Sequence, residues 1–112
     1  MKTILLIDDE QEFLDLIGPR IEKWGYNLVT FIEGLKAIEY LNTNKPDLML
    51  LDLGLKDISG MKVLQESKTK CPDLTVWVVS AYNDPDLREQ AAKLKADDFI
   101  AKPFSLSDFK AK

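Results

Sequence analysis

Five short apolar runs, with stretches of helical spacing between them, limit this chain more than any other feature of its sequence. The runs cover residues 3–7, 27–32, 48–51, 74–79 and 98–101. Most are nearly continuous rather than alternating, which is the pattern of strands covered on both faces. Between them, Leu14, Ile17, Ile21 and Trp24 share one helical stripe, and Gly34, Ala37, Ile38 and Leu41 share another. Met61 and Leu64 open a third stripe, and Leu87, Ala91 and Leu94 form a fourth. Strands that alternate with helices in this way predict an α/β fold with a parallel sheet and right-handed crossovers. With 112 residues the chain has room for one domain, taken as 1–112.

Turn and cap residues mark the element boundaries. Gly25 follows Trp24 as a helix-ending glycine would, and Asn44-Lys45-Pro46 closes the second helix. Asp84 and Pro85 read as an N-cap followed by proline at the first helical position. Pro19 falls inside the first helix, where it removes a backbone hydrogen bond and is expected to kink the axis. Ser105 and Asp108 resemble a capping box for a last helix over 105–112. That helix would have about two turns, short for covering a sheet edge. The expectation is a chain cut there, or one that continues past Lys112.

Composition then removes whole classes of chemistry. Histidine is absent and Cys71 is the single cysteine, so no Ser-His-Asp or Cys-His site, disulfide or ordinary zinc cluster can form. A net charge of −4 with no basic stripe argues against direct nucleic-acid binding. The apolar run from Ile4 to Ile7 is stopped at once by Asp8, Asp9 and Glu10, too short for a signal peptide or a membrane span. The expected location is the cytoplasm, with no membrane partner.

The chemistry gathers at the carboxyl ends of the strands. The first strand runs into Asp8 and Asp9, the third into Asp52, the fourth into Ser80 and the fifth into Lys102. Open α/β sheets bind ligands outside those ends, where the strand order reverses. Adjacent strands lie about 4.8 Å apart, so neighbouring strand ends can share one ligand. Three clustered carboxylates repel one another, and a hard divalent cation such as Mg²⁺ relieves that repulsion. Lys102 suits a phosphoryl oxygen and Ser80 offers a hydroxyl donor. A carboxylate can itself be the nucleophile and form an aspartyl-phosphate. The set reads as a phosphoryl-transfer site working by positioning and charge neutralisation. Singly, each acid is as well explained as a helix cap, and Asp8-Asp9-Glu10 would also favour the positive N-terminus of the next helix. Solubility explains their joint placement on one edge poorly.

With those residues in place, the chain resembles the receiver domains of two-component response regulators. The matching stretches are Ile4-Leu5-Leu6-Ile7-Asp8-Asp9-Glu10, Asp47-Leu48-Met49-Leu50-Leu51-Asp52-Leu53, Val79-Ser80-Ala81-Tyr82 and Ala96-Asp97-Asp98-Phe99-Ile100-Ala101-Lys102-Pro103-Phe104. The resemblance implies a doubly wound five-stranded parallel sheet of order 2-1-3-4-5, flanked by five helices. It also implies that Asp52 is the phosphoacceptor, served by a sensor histidine kinase or a phosphotransfer protein. Asp8, Asp9, the Asp52 carboxylate and the Gly54 carbonyl would hold Mg²⁺. Ser80 and Lys102 would contact phosphoryl oxygens, and Ser80 and Phe99 would form the switch. Gly54 and Tyr82 match positions that tune phosphoryl lifetime. A homodimer or an output domain would be the further partner. Such a domain is a signalling phosphoacceptor rather than an enzyme, although it catalyses its own phosphotransfer and autodephosphorylation.

Three positions depart from the family pattern. Lys56 stands where proline is common, which implies a looser loop after Asp52. Lys95 replaces a glycine that usually ends the fourth helix, and the last helix is short. The competing reading is a pseudo-receiver, an interaction module that no longer takes phosphate. A haloacid-dehalogenase-like phosphatase would need Asp-x-Asp, which Asp8-Asp9-Glu10 does not supply. A flavin site would need a Ser/Thr/Gly-rich loop after the first strand, also missing.

Overall fold

The computed structural model describes residues 2–80 and 85–101. In chain order the elements are β1 (Thr3–Ile7), α1 (Gln11–Lys23), β2 (Asn27–Phe31), α2 (Gly34–Tyr40), β3 (Leu48–Asp52), α3 (Gly60–Lys70), β4 (Thr75–Ser80), α4 (Pro85–Lys93) and β5 (Asp98–Ala101). The five strands are parallel and lie in the order β2-β1-β3-β4-β5. Four helices accompany the sheet among the described residues. The expected fifth helix, with Ser105 and Asp108, lies outside them, as do Asp84, Tyr82, Lys102, Pro103 and Phe104.

The continuous apolar runs are explained by burial on both sides of the sheet. Successive side chains in a strand point to opposite faces. Ile4, Leu6 and Leu50 pack with Leu14, Ile17 and Ile21 of α1. Leu5, Ile7, Met49, Leu51, Val76 and Val78 meet Ala37, Leu41, Val63, Leu64 and Ala91 on the other face. Each fully buried aliphatic side chain of this size stabilises the fold by about 1.5–3 kcal/mol relative to exposure. β2 sits at an edge and is only partly covered.

Two boundaries shift in a way that matters for the site. β3 extends to Asp52 and β4 to Ser80, so both polar residues are the last members of ladders rather than the first of loops. α2 stops at Tyr40, earlier than the Asn44-Lys45-Pro46 stop, where the backbone tightens into i→i+3 bonds from Asn42 to Glu39 and from Thr43 to Tyr40, and the Asn44 side-chain amide also donates to the Tyr40 carbonyl at 3.1 Å. Pro19 lies within α1, which continues through it to Lys23. Gly25 ends that helix with φ +95°, a left-handed conformation that glycine adopts without a Cβ penalty.

At the pole opposite the strand carboxyl ends, Asp97 ties three elements together. Its Oδ2 accepts from the Val76 N–H at 2.8 Å and from Lys68 Nζ at 2.9 Å. Lys68 also donates to the Leu74 carbonyl. Partial burial pushes the Asp97 carboxyl up, but the Val76 N–H and the Lys68 ammonium outweigh it and hold the group below its ordinary value. A depressed folded value means stability that is fully present above the unfolded value of 3.8 and is lost as pH falls through the lower folded one. Asp97→Asn is therefore expected to narrow the stability gap between pH 6 and pH 3, read from urea midpoints against the parent.

Lys95 carries φ +74°. Ala96 N–H reaches the Ala91 carbonyl and Lys95 N–H the Ala92 carbonyl, both at 3.0 Å, which is the Schellman ending of α4. A side chain in this conformation costs roughly 1–2 kcal/mol, and glycine recovers part of that after its larger unfolded-state entropy is deducted. Lys95→Gly is expected to raise stability by about 0.5–1 kcal/mol in urea denaturation.

Candidate functional site

The central strands bring the acids together. β1 and β3 pair in register with Ile7 opposite Leu51, so the next residues, Asp8 and Asp52, emerge side by side. Asp52 in turn pairs with Val79, which places Ser80 one step further along the same edge. All three are buried, with relative exposures of 1% for Asp8, 7% for Asp52 and 2% for Ser80. Asp9 is half-buried and Glu10 exposed. Buried carboxylates at adjoining strand ends are costly unless paired or bound to a cation.

Local backbone geometry orients them. The Asp8 N–H donates to the Phe31 carbonyl at 3.1 Å, which continues the ladder beyond Ile7. Asp8 Oδ1 accepts from the Glu10 N–H at 2.9 Å, bending the chain sharply before α1. That bend lets consecutive acids face one region. Carboxylate oxygens of Asp8, Asp9 and Glu10 lie within 4.8 Å of one another. Asp52 Oδ1 accepts from the Gly54 N–H at 3.1 Å, and the Leu53 N–H bonds the Val79 carbonyl at 3.2 Å. Oxygen donors so gathered suit a hard divalent cation such as Mg²⁺ or Ca²⁺.

The sequence-predicted set is thus largely assembled. Asp8, Asp9, Asp52, Gly54 and Ser80 lie at the carboxyl edge of the sheet. Phe99 sits half-buried on β5, with the Arg88 guanidinium carbon 4.6 Å from its ring centroid. A cation over an aromatic face contributes about 0.5–1 kcal/mol at a partly exposed site. Lys102 and Tyr82 fall outside the described residues.

Three features escaped the sequence reading. Glu10 joins the acidic cluster, although only its place in the Asp8-Asp9-Glu10 run drew notice. Gly60, the first residue of α3, lies against the backbone that carries Asp52. A Cβ there would stand 2.5 Å from Leu53 Cα, 2.9 Å from the Leu53 carbonyl oxygen and 3.0 Å from that of Asp52. Asp57 reaches from the β3–α3 loop to α2, accepting from the Gly34 N–H through Oδ1 and the Leu35 N–H through Oδ2, each at 3.0 Å. Slight desolvation pushes the Asp57 carboxyl up, but the Leu35 and Gly34 N–H groups outweigh it and hold the group below its ordinary value. The looseness expected from Lys56 is countered by this tie. A Ser-Gly pair before an apolar periodic stretch is the sequence signal that could have exposed Gly60. Asp57 left none, because its partners lie 22 and 23 residues away.

Comparison with known proteins gives this architecture its class. The family model of the response regulator receiver domain matches residues 4–112, and the chain belongs to that family. It is 35% identical over its full length to the transcriptional regulatory protein KdpE of Mycobacterium tuberculosis (strain CDC 1551 / Oshkosh), covering 49% of that protein. It is 28% identical to the sporulation initiation phosphotransferase F of Bacillus subtilis, covering 97% of this chain and 88% of that protein. The chain spans less than half the length of most of these curated relatives, from 23% of the transcriptional regulatory protein ZraR of Klebsiella oxytoca to the 49% of KdpE. Among solved structures, the response regulator TrrA of Thermotoga maritima, in complex with Mg²⁺ and beryllofluoride, superposes with a TM-score of 0.89 at 28% identity, covering 99% of this chain and 95% of that one. A Burkholderia pseudomallei response regulator with a phosphorylated aspartic acid and a calcium ion gives 0.92 at 26%, covering 99% and 65%. The chain is a receiver domain of the kind found in two-component response regulators.

Backbone contact at Gly60 cannot be relieved by rotating a side chain, whereas contact at Gly34 is with the side chains of Ile58, Val63 and Leu55. Gly60→Ala is expected to cost about 3 kcal/mol and Gly34→Ala about 1–2 kcal/mol, both measured by chemical denaturation.

Proposed function

We propose that Asp52 is the phosphoacceptor of this receiver domain. The observation that carries the reading is the burial of Asp8 and Asp52 side by side at the ends of paired strands, with Ser80 next along the edge. An Asp52 oxygen attacks the phosphorus of a histidine kinase phosphohistidine. The O–P bond forms as the P–N bond breaks, and the imidazole nitrogen leaves with the electron pair. The Gly54 N–H on Oδ1 fixes the carboxylate orientation for that approach.

Asp8, Asp9, the Asp52 carboxylate and the Gly54 carbonyl would hold Mg²⁺, which when bound supplies neutralisation of charge between the carboxylates and the phosphoryl oxygens. The neighbouring structures that carry Mg²⁺ with beryllofluoride, or Ca²⁺ with a phosphorylated aspartic acid, support a divalent cation as the companion of this chemistry. The Ser80 hydroxyl donates to one phosphoryl oxygen and Lys102 pairs with another. Phosphorylation draws Ser80 inward, and Phe99 follows through packing, since it has no hydroxyl of its own. Gly54, two residues past Asp52, and Tyr82, two residues past Ser80 in the sequence, would set how readily water reaches the acyl phosphate.

In this reading the domain promotes its own phosphorylation and dephosphorylation rather than turning over a separate substrate. It works in the cytoplasm, with a kinase or phosphotransfer protein as donor and an output domain or second copy as the recipient of the signal. No helix among the described residues is long and apolar enough to cross a membrane.

Incubation with a small acyl phosphate and Mg²⁺ is expected to add one phosphate, stable in acid and labile in base. Asp52→Asn should abolish it, and labelling of that variant at the parent rate would overturn the assignment. Ser80→Ala should still take up phosphate yet lose most of the chemical-shift response on β4 and β5.

A further inference from the structure

The end of β3 and the loop that leads on to α3 carry the two proposed cation donors that do not follow β1, namely the carboxylate of Asp52, the last residue of β3, and the Gly54 carbonyl. Something must fix its course, because a loop that wanders by an ångström changes the positions of both. Asp57 stands three residues beyond Gly54 and is exposed, so packing does not explain its placement. Its two oxygens accept separately from the first two N–H groups of α2. Helix N-termini leave such donors unsatisfied, and α2 has no local remedy, since the N-cap residue Glu33 makes no side-chain capping bond.

Apolar contacts reinforce the same junction. Gly34 is so close to the loop that a Cβ there would stand 2.6 Å from Ile58 Cγ2 and 3.1 Å from Leu55 Cδ1. The two loop residues flanking Lys56 and Asp57 therefore press on the start of the helix that Asp57 caps. At the other end of the loop, Gly60 lies against the backbone of Leu53 and Asp52. The loop is held between α2 on one side and the end of β3 on the other.

We propose that Asp57 is a positioning residue for the phosphoryl-accepting site, fixing the loop against α2 so that Asp52 and Gly54 keep the arrangement that binds the cation. This inference rests on the reading of Asp52 and Gly54 given above. Asp57 directs both its oxygens to α2 and is not itself one of the proposed cation donors. Partners that orient ligands directly are commonly worth 10–100-fold in metal affinity, and one acting through three residues of loop should be worth less, about 3- to 10-fold.

The test separates loop positioning from simple capping of α2. Mg²⁺ is titrated into the full chain and followed by the amide shifts of Asp8, Asp9 and Gly54, with thermal stability measured in parallel. Asp57→Ala should weaken Mg²⁺ binding about 3- to 10-fold, and Asp57→Asn, which keeps one acceptor, should weaken it less. Glu33→Asp added to either variant supplies a local N-cap, because residue 33 already has the extended conformation a cap needs. It should restore thermal stability without restoring Mg²⁺ affinity. Lys68→Ala, which breaks the Asp97 tie at the far pole, should lower stability while leaving Mg²⁺ affinity within about 2-fold. Should Asp57→Ala not fold, Asp57→Asn with and without Glu33→Asp carries the same comparison. The proposal is overturned if the foldable Asp57 variants bind Mg²⁺ like the parent, if Glu33→Asp restores the affinity, or if Lys68→Ala weakens binding equally. A parent that binds no Mg²⁺ overturns the reading of the metal site, and this inference falls with it.

Discussion

Parallel pairing of β1 with β3 in the middle of the sheet is the constraint on which the rest of this molecule depends. It sets Asp8 beside Asp52 in a place where water is scarce, and two buried carboxylates at that spacing resist further negative charge. Their burial at that spacing makes the pair sensitive to any charge brought to it, and this sensitivity comes from backbone register rather than from any one side chain. The apolar faces on both sides of the sheet hold that register, because a slip by one residue would turn every buried side chain of β1 or β3 to the wrong face.

The two poles of the sheet are built for different tasks. At the amino-terminal pole, Asp97 meets a lysine and a backbone N–H, so its charge is matched within the fold. At the carboxyl-terminal pole, acids are gathered instead, with carboxylates of Asp8, Asp9 and Glu10 within 4.8 Å of one another. Local satisfaction makes the first a fastening. Carboxylates brought this close together make the second a place where a ligand changes the energy of the protein, which is what a switch requires.

Glycine and aspartate set the shape of the second pole in complementary ways. Gly34 and Gly60 permit backbone to approach neighbouring atoms at distances no other residue allows. Asp57 then joins the surfaces so brought together through a pair of hydrogen bonds. Lys56, in the position where a proline would stiffen the chain locally, is flanked by residues that obtain the same result from tertiary contacts.

The sequence by itself determined the architecture and most of the site. Continuous apolar runs of strand length, separated by segments of helical period, admit few arrangements other than a parallel sheet covered on both faces. Acids at the ends of the first and third runs, with Ser80 at the end of the fourth, mark the ligand edge of such a sheet. These features are legible because they are periodic or lie at element ends, where spacing alone fixes direction. Only the tertiary structure decided which residues meet across long separations. Asp57 reaches Gly34 and Leu35, Arg88 covers Phe99, and Asp97 binds Lys68 and Val76. Each of these contacts joins elements whose mutual orientation follows from strand order and helix packing, and no local pattern encodes it. The cost of the unusual backbone at Lys95 is likewise set by how α4 must turn to deliver β5 to the sheet edge.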